Sequence, residues 1–284
     1  MKPNDIAEAI AFYNRKPEVL ERHLIAVVDC DLVVYHRPGN ASKGHIIFYH
    51  GACGRSQRAH QYDAFEGFDL YFVNVRGQGE SPMKVGLPDL EGAIQDVDAI
   101  LSYFQLDKVI LVGHSWGGNP LQEYTYRHPE RVLALVMVDS WGQHRYLSEK
   151  ERGRIKYSSL MYKTIPWKVI ADKNSKMCTD NPITRELVKT AIIETGRDVF
   201  LNLGITGFLA VHEIEGYKGN PPMLLVRGEK DFPKHLKIIY DGIIALNPNA
   251  RQVTISDSKH QPMNDHPKEF NQIVGDFFEE VVAL

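Results

Sequence analysis

Between residues 109 and 118 an unbroken apolar run, Val109-Ile110-Leu111-Val112, meets Gly113-His114-Ser115-Trp116-Gly117-Gly118, and a helix-like run begins near Asn119. A strand that folds back into a helix within a few residues must turn sharply, and Cβ atoms at the crossing points would clash. Gly113 and Gly117 stand at those points. The turn leaves Ser115 at its tip. The helix that follows offers free N–H groups and partial positive charge, which favour an anion forming beside the serine.

The rest of the chain supplies the alternation that such a turn requires. Ile6, Ala9, Ile10 and Tyr13 have helical spacing, so residues 5 to 22 read as a short amphipathic helix broken near Pro17. Residues 24–28 and 32–35, separated by Asp29-Cys30-Asp31, read as an edge hairpin. Ile46-Ile47-Phe48-Tyr49 is a buried strand running into His50-Gly51-Ala52-Cys53-Gly54, and Leu70-Tyr71-Phe72-Val73 is another, closed by Asn74-Val75-Arg76-Gly77-Gln78-Gly79-Glu80-Ser81. A helix is expected over Gln57 to Glu66. Further helices are expected over 89–104 and 119–128, with strand 132–138 after them. The sheet resumes at 223–226 and continues through a helix over 233–246, strand 252–255 and helix 267–283. This order argues for a mostly parallel sheet with helices on both faces. Roughly 80 residues, from Trp141 to about Gly219, interrupt it, and a structureless loop of that length is unfavourable inside a domain. Ser148-x-x-Glu151 is a capping box, Asn181-Pro182 suits a helix start and Gly196 a helix end, so this segment should be helical.

Composition narrows the function classes. The chain has 284 residues, 43% hydrophobic and 24% charged, as an ordinary globular protein has. A formal charge of −3 gives no global field to recruit nucleic acid, and no run is long enough to span a membrane, so neither is an expected partner. Cys30, Cys53 and Cys178 are too few and too scattered for a disulfide framework or a thiolate metal site, and a reducing cytoplasm is the expected setting. The first 23 residues mix charged and apolar positions, so no signal peptide is expected. No phosphate-binding loop, dinucleotide fingerprint or His-Glu-x-x-His occurs, and no cofactor or metal is expected.

With these pieces in order, the chain resembles the α/β-hydrolase superfamily across nearly its whole length, most closely its cap-bearing, lipase-like and esterase-like branch. The resemblance rests on His50-Gly51, the Arg76 to Ser81 loop, the Gly113 to Gly117 turn and a tail running from His260 through Asp265 to Pro267. It implies an α/β fold with a mostly parallel eight-stranded sheet. Residues 1–140 and 220–284 would form the core, and 141–219 a helical cap inserted after the sixth strand. It also implies a nucleophile, acid and base in the chain order Ser115, Asp231, His260. Asp139, directly after the sixth strand, is the alternative acid. The oxyanion donors would be the backbone N–H groups of Ala52 and Trp116, or of Cys53 in place of Ala52 if the loop is shifted by one. Asn74 and Lys259 depart from the residues that many relatives have, aspartate and glycine, without removing a member of the set. Trp116 is similar to the residue after the nucleophile in haloalkane dehalogenases and epoxide hydrolases, which use aspartate where Ser115 stands.

The chemistry of those residue types is acyl transfer. A serine hydroxyl becomes a nucleophile only when a neutral imidazole takes its proton, and a carboxylate fixes the imidazole tautomer. The expected reaction is hydrolysis of a small ester, thioester or lactone through an acyl-enzyme. Carbon–carbon bond hydrolysis and amidase or aminopeptidase action are alternatives on the same residues, and a small-molecule receptor that keeps the fold is the alternative from another class. His50, Cys53, Trp141, Tyr162, Trp167, Phe200 and Phe208 are the expected pocket residues. Residues 145–176 carry nine basic and three acidic side chains, a surplus that would steer anionic substrates if it rims the pocket. A monomer or homodimer is expected.

Overall fold

The computed structural model describes residues 3–14, 20–39, 43–52, 58–142, 148–209 and 221–283. Eight strands form one sheet in the order β1-β2-β4-β3-β5-β6-β7-β8. They are β1 (Glu21–Ala26), β2 (Asp31–Arg37), β3 (His45–Tyr49), β4 (Asp69–Val73), β5 (Val109–His114), β6 (Val132–Val138), β7 (Met223–Gly228) and β8 (Ala250–Ile255). β1 and β2 pair antiparallel, and β2 joins β4 antiparallel. From β4 through β8 every pairing is parallel.

The central strands are apolar on both faces because both faces are covered. Val109, Leu111, Leu135, Met137 and Leu225 pack on one side with α2 (Leu90–Tyr103), α3 (Gly118–Arg127) and α8 (Pro233–Leu246). Ile110, Val112, Val136, Leu224 and Val226 point the other way, against Phe270, Val274, Phe277 and Phe278 of α10 (Pro267–Val282) and Tyr13 of α1 (Pro3–Asn14). α9 (Pro262–Asp265) is a single turn that leads into α10.

α1 is described over Pro3–Asn14, the expected break near Pro17 lies outside the described residues, and from Glu21 onward the chain is β1. One helix expectation is corrected. Residues 58–66 are successive turns rather than a helix. The N–H groups of both Gln61 and Tyr62 converge on the carbonyl of Arg58, while the buried Arg58 guanidinium donates to the Phe48 carbonyl at 2.6 Å. That arginine is fixed to the end of β3, and the chain turns around it.

Between β6 and β7 lie α4 (Glu149–Thr164), α5 (Trp167–Cys178), α6 (Pro182–Thr195) and α7 (Arg197–Leu209). Their boundaries follow the sequence signals. Ser148 and Glu151 make a reciprocal capping box, Asn181 caps α6 through Oδ1, and Gly196 ends it with φ +80°. Ala171, Val188, Ala191 and Ile192 form a small apolar cluster of their own between α5 and α6. Among the described residues, no helix is long and apolar enough to cross a membrane.

The loop after β4 is locked by a buried ion pair. Arg76 donates through Nε and Nη2 to both oxygens of Asp96 at 2.7 and 2.6 Å, and through Nη1 to Asp29 at 3.1 Å. Asp96 is 1% exposed on α2, so the pair cannot exchange its partners for water. Removing one member leaves the other charge buried. Arg76→Ala should therefore lower the free energy of unfolding by about 3–5 kcal/mol, read from urea denaturation at neutral pH; a loss below about 1 kcal/mol would show that the pair is not structural.

Candidate functional site

Crowding explains the glycines of the turn after β5. A Cβ on Gly113 would lie 2.5 Å from the Cα of Gly118, and one on Gly117 would lie 2.6 and 2.7 Å from the carbonyl oxygens of His50 and Tyr49. A Cβ on Gly51 would meet the Cβ of Ser115 at 2.7 Å. Ser115 itself has φ +53°, a strained value for serine, and opens a short 3₁₀ turn over Ser115–Gly117 that runs into α3. The backbone after β3 and the tip of the turn after β5 are thus held in direct contact.

The residues assembled around Ser115 come from the carboxyl ends of parallel strands. Nε2 of His260 lies 2.8 Å from Ser115 Oγ, and Nδ1 of the same ring lies 2.7 Å from Oδ2 of Asp231. A carboxylate only accepts, so Nδ1 carries the proton and donates to Asp231, which leaves the Nε2 lone pair to accept from the serine hydroxyl. Asp231 is 2% exposed in the turn after β7, where its N–H donates to Gly228.

Asp139 stands beside this chain without joining the imidazole. It is fully buried after β6 with φ +46°, and its Oδ1 accepts from the N–H of Gly228 at 2.9 Å. Burial first, and the neighbouring Asp231 second, push its carboxyl well above the usual carboxylate range, against the pull of the Gly228 N–H. Among the described residues, Oδ2 of Asp139 and Oδ1 of Asp231 have no hydrogen-bond donor. One proton on Asp139 would satisfy both. Asp139, Asp231 and His260 each offer a ligand atom within 4.8 Å of the others, although His260 Nδ1 is already committed to Asp231.

Two further residues, absent from the sequence expectations, position this group. His114 donates from Nε2 to the backbone carbonyl of His260 at 2.8 Å, tying the end of β5 to the histidine loop. Gln78, with its amide nitrogen turned to the loop after β3, donates to the carbonyls of Gly51 and Ala52 at 3.3 and 3.0 Å. Neither role has a local signal, because each acts on backbone groups supplied by a distant segment.

His50 is 2% exposed and fully engaged: Nδ1 meets the Gly51 carbonyl at 2.7 Å and Nε2 accepts from the N–H of Val75 at 3.1 Å. It braces the loop instead of lining the cavity above Ser115. The N–H groups of Ala52 and Trp116 donate to no protein acceptor among the described residues. Cys53 lies outside the described residues, as does the side chain of Phe208.

Above Ser115 is a cavity of about 470 Å³, walled by Ala52, Trp116, Trp141, Tyr162, Phe200, Leu203 and Phe232, with His260 at its floor. Helices α4, α5, α6 and α7 all contribute to the wall, and it is largely apolar. Trp141 and Tyr162 are part of its wall. Trp167 does not reach the cavity; it packs edge-on against Phe200, 5.6 Å between centroids. Of the basic side chains of 145–176, Arg154 reaches the cavity wall.

Residues 44–267 match the family model described as the alpha/beta hydrolase fold, and the chain belongs to that family. It is similar to the sn-1-specific diacylglycerol lipase ABHD11 of Mus musculus, 26% identical over 263 residues that cover 84% of this chain and 82% of that protein. Among solved structures, a thermophilic esterase from Thermogutta terrifontis superposes with a TM-score of 0.78 at 17% identity, covering 92% of this chain and 99% of the other. The enol-lactonase from Burkholderia xenovorans LB400 superposes at 0.77 with 18% identity, covering 90% and 100%.

Two measurements follow from the packing. Gly117→Ala should destabilise the protein by about 1–3 kcal/mol, since two backbone carbonyls must move, and a stability within 0.5 kcal/mol of the parent would contradict the crowding. His114 supplies a pH dependence. Burial first, then the neighbouring His260, hold its pKa well below that of an ordinary histidine. The unfolded chain therefore binds a proton that the folded chain refuses, and stability is lost as the pH falls through the unfolded value near 6.5. Between pH 6.5 and 5.5 this should amount to about 1 kcal/mol in denaturation experiments, and the same interval in His114→Gln should show that component missing.

Proposed function

We propose that this protein is a serine hydrolase that cleaves a small ester, thioester or lactone through an acyl-enzyme. Ser115 is the nucleophile, His260 the general base and then acid, and Asp231 the residue that fixes the imidazole. The observation that carries this reading is the hydrogen-bonded chain Ser115 Oγ to His260 Nε2 at 2.8 Å and His260 Nδ1 to Asp231 Oδ2 at 2.7 Å, opening into an apolar cavity. Similarity to a lipase, an esterase and a lactonase is in keeping with it.

Ser115 Oγ attacks the substrate carbonyl as its proton passes to His260 Nε2. The oxyanion that forms is held by the N–H groups of Ala52 and Trp116. Collapse of the tetrahedral intermediate breaks the bond to the leaving group, which takes the proton from His260, and leaves the acyl group on Ser115. Water, deprotonated by the same nitrogen, then attacks the acyl carbonyl, and the acid departs as the serine proton is restored. In this reading residues 141–219 are a cap over the site, and the aromatic wall it shares with Trp116 receives the acyl chain.

A fluorophosphonate probe should label the wild type, with labelling abolished in Ser115→Ala; a folded wild type that resists the probe would favour a ligand-binding protein over an enzyme. The two buried carboxylates separate cleanly. Asp231→Asn should reduce kcat on an activated ester by about 10⁴-fold, because the amide stabilises the wrong tautomer. Asp139→Asn should cost less than about tenfold, since its amide can both accept from Gly228 and donate to Asp231; the reverse order would make Asp139 the working acid.

A further inference from the structure

At the outer edge of the sheet, four places from the β5 strand that leads to Ser115, β1 and β2 bring three potential metal ligands together. Glu21 pairs with His36 across the antiparallel ladder, and His23 lies two residues further along β1 on the same face. Glu21 Oε2 stands 3.5 Å from His23 Nε2 and 3.4 Å from His36 Nδ1, and one ligand atom from each residue falls within 4.8 Å of the other two. These separations are too long for charge-assisted hydrogen bonds, which run about 2.7–2.9 Å. They fit a different geometry: donors about 2.0–2.2 Å from a tetrahedral Zn²⁺ stand about 3.3–3.6 Å apart.

The imidazoles are held in place by packing. His36 Nε2 lies 3.5 Å from Asp69 Oδ1, a carboxylate itself held by the N–H of Gly39 at 2.6 Å. His23 Nδ1 lies 3.4 Å from the hydroxyl of Tyr103. His36 Nε2 has no hydrogen-bond partner among the described residues; a proton on that nitrogen and on His23 Nδ1 leaves the inner nitrogens as lone pairs, the tautomers that a metal needs. His36 is stacked on Tyr71 at 4.6 Å with 6° between planes, and His23 sits edge-on to Phe104 at 4.8 Å. His23 Nε2 is buried and has no hydrogen-bond partner among the described residues. Glu21, with a side chain 59% exposed, leaves the site open to water on one side.

We propose that Glu21 Oε2, His23 Nε2 and His36 Nδ1 bind one divalent transition-metal ion of the zinc class, with water in the remaining position. Two imidazoles and one carboxylate form a donor set suited to Zn²⁺ over Mg²⁺ or Ca²⁺, which prefer oxygen. The ion would tie the edge hairpin to Tyr71 and to the end of α2. Its role is structural, and the site is independent of the chemistry proposed at Ser115.

The test is calorimetric titration of the metal-stripped full chain with Zn²⁺, alongside Glu21→Gln, His23→Ala and His36→Ala. One ion should bind with a dissociation constant below about 100 μM, and each substitution should weaken binding at least tenfold. At about 100-fold excess over the dissociation constant, the wild-type Tm should rise by about 5 °C, and that of Glu21→Gln should not. Glu21→Gln removes charge from an exposed side chain without emptying any packed volume, so it decides the matter even if a histidine variant fails to fold. Binding weaker than about 1 mM overturns the proposal, and so does tight binding that all three substitutions leave unchanged, which would place the ion elsewhere on the chain. None of these readouts depends on hydrolysis, so their failure and that of the serine hydrolase reading are separable.

Discussion

The contact between two backbone segments, the loop leaving β3 and the turn leaving β5, is the constraint on which the site depends. Gly51 lies against Ser115, and Gly117 lies against the carbonyls of Tyr49 and His50, with no room for a side chain at either approach. Because β3 and β5 are hydrogen-bonded neighbours in a parallel sheet, their ends emerge side by side. The serine and the N–H of Ala52 are therefore set by backbone geometry and not by flexible side chains. Secondary braces act on the same two segments: His50 spans from Gly51 to Val75, Gln78 reaches the carbonyls of Gly51 and Ala52, and Arg76 anchors the loop that carries Gln78. The Arg76 to Ser81 loop thus contributes to the site without touching its cavity.

Strained backbone recurs at the same edge. Ser115, Asp139 and Phe232 all have positive φ, one near the end of each of three adjacent strands. Such values persist where surrounding structure over-determines them. Asp139 and Asp231 face each other. Two ionised carboxyls cannot share that buried space without a compensating charge. Asp231 accepts a hydrogen bond from His260 Nδ1, and burial favours the neutral form of Asp139. Two acids at adjacent strand ends therefore differ in role through their surroundings.

What could be read from the sequence were the features that repeat along the chain or sit within a few residues. Buried strands announced themselves as apolar runs, and the helix boundaries at Ser148, Asn181 and Gly196 were signalled by capping chemistry that acts over two or three residues. Ser115, Asp231 and His260 each lie after a strand expected from the sequence, and the structure brings their side chains into one hydrogen-bonded chain. The expected break of the first helix near Pro17 lies outside the described residues, and an amphipathic pattern does not show that the sheet edge captures the chain from Glu21. The turns at 58–66 were missed because a buried arginine bonded to the end of β3, and not local propensity, sets their path. His50 was expected in the pocket, whereas the hydrogen bonds of both its nitrogens lie within the loops it braces. Trp167 was expected there too, but its ring is taken up by Phe200 and by Arg197, 5.9 Å from its centroid. Contacts of this kind have no periodicity to find.

The same limit applies at the far edge of the sheet. His23 and His36 are separated by too many residues for any ligand spacing on one helix or loop, and only the register that pairs Glu21 with His36 puts them on one face. A one-residue slip of β1 against β2 would send Glu21 and His23 to the other side, together with Ile25 of the core. Burial of Ile25 against Leu32 therefore fixes which side chains of β1 face Glu21's side as well as the hairpin itself. At both places backbone pairing decides which side chains meet. Parallel strand ends bring Ser115, Asp231 and His260 together beneath a largely apolar cavity, whereas an antiparallel ladder lines up Glu21, His23 and His36 where water can enter. Shielding would strengthen the electrostatics of the acyl transfer proposed at the first, and an open position would suit the ion proposed at the second, which must arrive from solvent.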